Sequence, residues 1–177
     1  METATKRETI VLNLDVKKVL PDVLWVLKAR STDKNRQVLH YMNVDSVGIC
    51  CTDGKRLHLF KNNELIPTLQ LGLYDVIISK NTIICTPVEG SFPDYQSIMP
   101  KYDSAPLRIS LNGVLSIESS LAIVRIYEKF KTAVNYEYIR DLESGLWDVN
   151  TGTDAKSSIE FKQGESRYAL MMPLSMK

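Results

Sequence analysis

Apolar positions recur along this chain with two different periods. Residues 9–14, TIVLNL, are a short apolar-rich run and read as a strand. Asp15 follows as a candidate N-cap. Val16, Val19, Leu20, Val23, Leu24 and Leu27 then recur at helical spacing and make one apolar stripe. Pro21 falls inside this pattern, so it should kink the helix or start its main body after a first irregular turn. Trp25 lies on the opposite, polar face with Lys17, Lys18, Asp22 and Lys28, and is expected to cap the core only partly. From Gln37 the period becomes two, and residues 38–43, 47–52 and 55–60 read as strands. Asp53-Gly54 between the last two is a hairpin signal, because glycine takes positive φ without penalty. Residues 61–68, which include Pro67, read as a loop, and residues 74–79 and 82–87 as a second hairpin around Lys80-Asn81.

The second half repeats the pattern. Residues 107–111 and 114–118 flank Asn112-Gly113 and predict a third hairpin. Residues 121–127 and 132–135 read as further strands. Residues 136–147 read as a second helix with Ile139, Leu142 and Leu146 inward, its end weakened by Gly145. A polar loop over 148–156 and strands over 158–162 and 167–172 follow. Many short strands with one helix in each half are not an alternating βα pattern. A parallel nucleotide-binding sheet is therefore excluded in favour of an α+β fold with antiparallel sheets and two helices. Between the halves, Gly90 to Lys101 reads GSFPDYQSIMPK. Pro93 fixes its own φ and pushes Phe92 towards extended geometry, and Ile98, Met99 and Pro100 add apolar surface that should bury itself. This stretch is expected to be a packed crossover, residues 91–101, joining halves of roughly 1–90 and 102–177 in a single domain.

Three stretches resemble one family. GSFPDYQSIMPK resembles the segment joining the second and third domains of the bacterial sliding clamp, the β subunit of DNA polymerase III. Cys51 to Leu57, CTDGKRL, resembles that family's TDGHRL turn, with Lys55 where His is usual. Tyr168 to Met176, YALMMPLSM, resembles the family's C-terminal strand and its Met-Pro tail, with Ser175 where a basic residue is usual. The three occur in family order. The resemblance implies a DNA-clamp-type fold and a non-enzymatic role in DNA replication, as a sliding-clamp-like processivity factor. It implies a cleft for short peptides of polymerase or other replication proteins. Carried over by motif position, that cleft comprises Thr52, Gly54, Lys55, Arg56 and Leu57, then Pro93 and Ile98. Leu170, Met172, Pro173, Leu174 and Met176 complete it, with Leu39 a weaker member. A clamp chain repeats its domain three times and is about twice as long, so the resemblance implies a contracted clamp, or one domain that forms a ring as a homo-oligomer.

Composition changes this picture little. With 44% hydrophobic and 24% charged residues and a net charge of +1, the chain reads as globular and its total charge does not select nucleic acid. Only Lys28, Arg30, Lys34 and Arg36 form a basic stretch, the candidate contact for double-stranded DNA. The second helix, with Glu137, Asp141, Glu143 and Asp148 against Arg140, should repel phosphates. The polar N-terminus METATKRETI and the lack of a long apolar run predict no membrane association. Three cysteines with no Cys-x-x-Cys spacing predict a reducing, cytoplasmic setting. Adjacent Cys50 and Cys51 point to opposite sides of a strand and cannot easily share a metal ion, so no metal or other cofactor is expected. Two rival functions follow from the residues: a small cysteine-dependent enzyme using Cys51 and His58, and a plain DNA-binding module without a peptide cleft.

Overall fold

The computed structural model describes residues 8–13, 20–61, 69–79, 82–102, 104–112, 116–152 and 157–174. The first half holds β1 (Ile10–Asn13), α1 (Leu20–Leu27), β2 (Met42–Val44), β3 (Ile49–Thr52), β4 (Arg56–Phe60), β5 (Gly72–Ser79) and β6 (Thr82–Val88). The second holds β7 (Leu107–Leu111), α2 (Ser116–Phe130), α3 (Tyr136–Asp141), β8 (Gly145–Thr151), β9 (Ile159–Gln163) and β10 (Arg167–Met171). The strands form one ten-stranded sheet in the order β1-β6-β5-β2-β3-β4-β10-β9-β8-β7. Every pairing is antiparallel, and β4 with β10 joins the halves, with Phe60 opposite Arg167 and Leu57 opposite Leu170. This is the expected α+β architecture.

The central strands are covered on both faces. Cys51, Phe60, Ala169, Met171, Ile159 and Phe161 join the main core, under Val23, Trp25 and Val26 of α1, Ala122 and Ile126 of α2, and Ile139 of α3. Their alternate neighbours Cys50, Leu57, Leu59 and Leu170 form a second cluster with Tyr95, against which Phe92, Met99 and Tyr168 pack. The crossover is thus a strap laid over the sheet face opposite the helices. Asp94 Oδ1 accepts from the backbone N–H of Gln96 at 3.1 Å, at the entry to the strap's 3₁₀ turn, Gln96–Ile98. Tyr95 donates its hydroxyl to Asp45 Oδ2 at 2.9 Å, and Ser158 Oγ donates to the Ile98 carbonyl at 2.5 Å.

Several local expectations need correction. Residues 38–43 are not one strand: Gln37–His40 is a 3₁₀ turn that buries Leu39, and the strand is only Met42–Val44. No hairpin joins 107–111 to 114–118. The partner of β7 is β8, and the stretch read as strands 114–118 and 121–127 is largely α2, so three α-helices are described rather than two. Residues 132–135 form no strand; Asn135 caps α3 by accepting from Glu137 N–H at 2.9 Å. The helix expected over 136–147 stops at Asp141. Gly145, at φ +136°, opens β8, and a Cβ there would lie 2.1 Å from Gln163 Nε2. Leu146 consequently points out, 54% exposed, and residues 148–151 belong to β8 rather than to a loop. The helix facing the first part of the core is also rotated: Leu24 is exposed and Trp25 fully buried. Val16, Lys17, Lys18, Val19, most of the 61–68 loop, the Lys80-Asn81 turn and Gly113 lie outside the described residues.

Candidate functional site

The β3–β4 connection is a three-residue turn, Asp53-Gly54-Lys55, held by its own polar atoms. Asp53 Oδ1 accepts from the backbone N–H groups of Lys55 and Arg56 at 2.8 and 2.9 Å. Thr52 Oγ1 donates to the Arg56 carbonyl at 2.5 Å and accepts from Gly54 N–H at 3.0 Å. Gly54 sits at φ +87°, a conformation that favours glycine, while the nearest atom to an added Cβ, Arg36 Nη1 at 2.7 Å, ends a flexible side chain that can swing aside. β10 leaves the sheet beside this turn, and Met172 N–H donates to the Lys55 carbonyl at 2.8 Å. That bond sets the exposed Met172 next to the hairpin.

Hairpin, strap and β10 together border a groove of about 180 Å³. Thr52, Gly54, Lys55, Arg56 and Leu57 line one side, Pro93 and Ile98 the strap side, and Leu170 and Met172 the floor and end. Asp94 and Tyr95 also line it, two residues that the motif reading left out. Leu39 is not on the groove wall; it is buried, and lies behind Gly54, where its Cδ1 would be 3.7 Å from an added Cβ. Pro173 and Leu174 continue past the groove, where Leu174 N–H donates to the Ala133 carbonyl at 2.9 Å. Met176 lies outside the described residues.

The charges at the groove are largely engaged. Arg56, only 11% exposed at its side chain, pairs with Asp53 at 3.2 Å and with Asp141, donates to the Lys28 carbonyl at 2.7 Å, and stacks over the Tyr138 ring. It fastens the hairpin to α1 and α3, and two carboxylates offset its charge. Asp141 is therefore part of a structural ion network, whereas Arg140 pairs with Glu137 at 2.5 Å. Glu143 binds Lys28 at 3.8 Å and Arg167 at 2.9 Å, and Asp148 binds Arg108 at 2.9 Å. The acidic residues assigned to a second helix are thus spread over α3, β8 and their connection. α2 itself carries Glu118, Arg125, Glu128 and Lys129 with an exposed apolar row of Ile117, Leu121, Val124 and Tyr127. In the basic stretch, Arg30 and Lys34 are exposed, Lys28 is paired as described, and Arg36 pairs with Asp33 at 3.8 Å.

The cysteine–histidine pair is placed together but closed off. Cys51 and His58 are cross-strand partners, and both are fully buried. Burial pushes the Cys51 thiol well above its ordinary value, and burial likewise pushes Cys50 up to about 12. His58 is held down at about 4, again chiefly by burial. Its Nδ1 is 2.8 Å from the Trp25 carbonyl, and its ring stacks on Trp25 with centroids 4.4 Å apart. A neutral thiol with no exposed surface cannot meet a substrate, so this pair is a packing feature. Among the described residues no group of three His, Cys, Asp or Glu side chains could hold a metal ion, and no helix is long and apolar enough to cross a membrane.

No protein-family model matches the sequence, and no curated protein matches it. The fold is nonetheless that of bacterial clamps. The DNA polymerase III subunit beta of Borrelia burgdorferi, solved in complex with a natural product, superposes at a TM-score of 0.63 with 16% identity over 100% of this chain and 66% of its own. The beta subunit from Thermotoga maritima gives 0.59 with 13% identity, covering 100% of this chain and 68% of its own. The Helicobacter pylori beta clamp, bound to a DNA ligase peptide, gives 0.57 with 14% identity, covering 99% and 68%. The chain spans about two-thirds of the length of these clamps and has their fold in shortened form.

Proposed function

We propose that this chain is a non-enzymatic accessory protein of DNA replication that captures an extended peptide of a polymerase or another replication protein. The observation that carries the reading is one groove bordered by three separate stretches: the 52–57 hairpin, the strap and the end of β10. Apolar side chains of the peptide would enter between Leu57, Ile98, Leu170 and Met172, while backbone groups at the rim fix its direction. Arg56 serves by holding the hairpin rather than by offering a free charge. The Helicobacter pylori clamp, with its ligase peptide, lends support by fold. On this reading the chain is one clamp-like domain with a cytoplasmic role, and groove binding requires neither a ring nor a second copy. DNA takes a secondary place, through Arg30 and Lys34.

Titration of the intact chain with a labelled clamp-binding peptide of a replicative polymerase tests this. Saturable binding is expected, and Met172→Ala should weaken it about tenfold, from loss of roughly 1–3 kcal/mol of apolar contact. Absence of saturable binding, or binding indifferent to Met172→Ala, would sink the proposal.

A further inference from the structure

The β4–β10 pair has two ends, and the strap leaves an opening at each. The apolar groove lies at the hairpin end, near Arg56 and Met171, which face each other across the strands. At the other end, beyond Phe60 and Arg167, Lys61, Lys101, Lys162, Tyr102 and Tyr168 surround an opening of about 450 Å³. Its lining also includes Glu160, whose side chain is 5% exposed. Glu160 accepts from the Tyr102 hydroxyl at 2.7 Å and pairs with Lys162 at 3.0 Å. Lys61 Nζ sits 3.8 Å from the centroid of the Tyr168 ring, and Lys162 Nζ 5.3 Å from it. The negative face of that ring lets two ammonium groups share a small space. Three lysines face one carboxylate here, and among the described residues neither Lys61 nor Lys101 has a carboxylate within ion-pair distance. The opening therefore keeps an excess of positive charge and suits an anionic group.

Strand geometry links the two openings. Leu170, at the groove, and Tyr168, at the cationic opening, are alternate residues on one face of β10, about 7 Å apart. The strap runs between the openings, with residues 93–98 on the groove and 99–102 on the cationic side. Ile98, 48% exposed, offers an apolar step from one to the other. A chain in extended form rises about 3.3 Å per residue, so about two residues span that distance. We infer that the Lys61–Lys101–Lys162 opening receives acidic side chains of the same peptide whose apolar segment fills the groove. The partner is then an apolar segment flanked within a few residues by Asp or Glu. This inference rests on the groove being a peptide site.

Two synthetic peptides with one apolar segment, flanked by four Glu or by four Gln residues, separate the possibilities when titrated into the full chain at low and high salt. The Glu peptide should bind about fivefold or more tightly at low salt, with the advantage shrinking at high salt. Lys61→Gln with Lys101→Gln should erase that advantage and leave the Gln peptide unchanged. Equal binding of both peptides would overturn the inference while leaving the groove intact. No binding of either would overturn the groove reading and the inference together. Equal peptide binding, with a single-stranded oligonucleotide lost on the same lysine changes, would assign the lysines to phosphate.

Discussion

His58 shows what burial does to a single side chain. Its Nδ1 donates to the Trp25 carbonyl in the neutral ring, and its Nε2 has no hydrogen-bond partner among the described residues. Protonation would place a cation beside Trp25 in the core, where burial opposes it most and Arg56 and Lys28 add to the cost, while the Trp25 carbonyl and Asp141 favour it less strongly. The folded value of about 4 lies below the ordinary 6.5, so between these values the unfolded chain binds more protons. Stability is therefore whole above about pH 6.5 and falls as pH drops towards 4, by on the order of 3 kcal/mol. Urea unfolding of the native chain against His58→Gln checks this: the native chain should lose midpoint across that interval and the variant should lose much less. Equal slopes would remove His58 from the account. At this scale the groove was legible. Asp53 and Gly54 announce their turn by residue type, and the motif order brings in Pro93, Leu170 and Met172. Asp94 and Tyr95 fall outside the motif reading, because a turn carboxylate and a packed aromatic do not by residue type mark a groove wall. Leu39 was misplaced because only the three-dimensional path of the 37–40 turn sets it behind Gly54.

At the scale of elements, α2 is where pattern reading fails, and the reason is physical. Ala122 and Ile126 enter the core, while Ile117, Leu121, Val124 and Tyr127 lie exposed on another face. With apolar residues on both sides the helical period vanishes, and LAIVRIY looks like a strand buried on both faces. Length was the better guide, since Ser116–Phe130 holds neither glycine nor proline over fifteen residues. In α1 the stripe is turned because Trp25 stacks on His58, a contact invisible in a helical wheel. The same helix leads into the basic stretch, and its charges are unequal: Lys28 and Arg36 have carboxylate partners, while Arg30 and Lys34 are exposed. Charge reversal at Arg30 and Lys34 should therefore abolish weak, salt-sensitive retention of duplex DNA, read by filter binding at low salt. Unchanged retention would leave the stretch a solvated face.

For the whole molecule, antiparallel architecture could be read from the alternation of short strands. The order of strands could not, because nothing in β4 or β10 alone says that they pair. That pairing has a consequence in time. Phe60 waits for Arg167, more than a hundred residues later, and the strand that arrives is the last of the ten. Until then β4 and β9 each present a bare edge, and contacts of such long sequence separation form slowly. A chain ending at residue 166 should accordingly collect in the insoluble fraction on expression, whereas a soluble, cooperatively unfolding product would show that the first half closes on its own. The final strand also carries Leu170 and leads into Met172, so synthesis makes the groove only when it makes the sheet whole. A chain that lacks β10 has neither Leu170 nor Met172 to border the groove, so it should fail to hold the peptide proposed above.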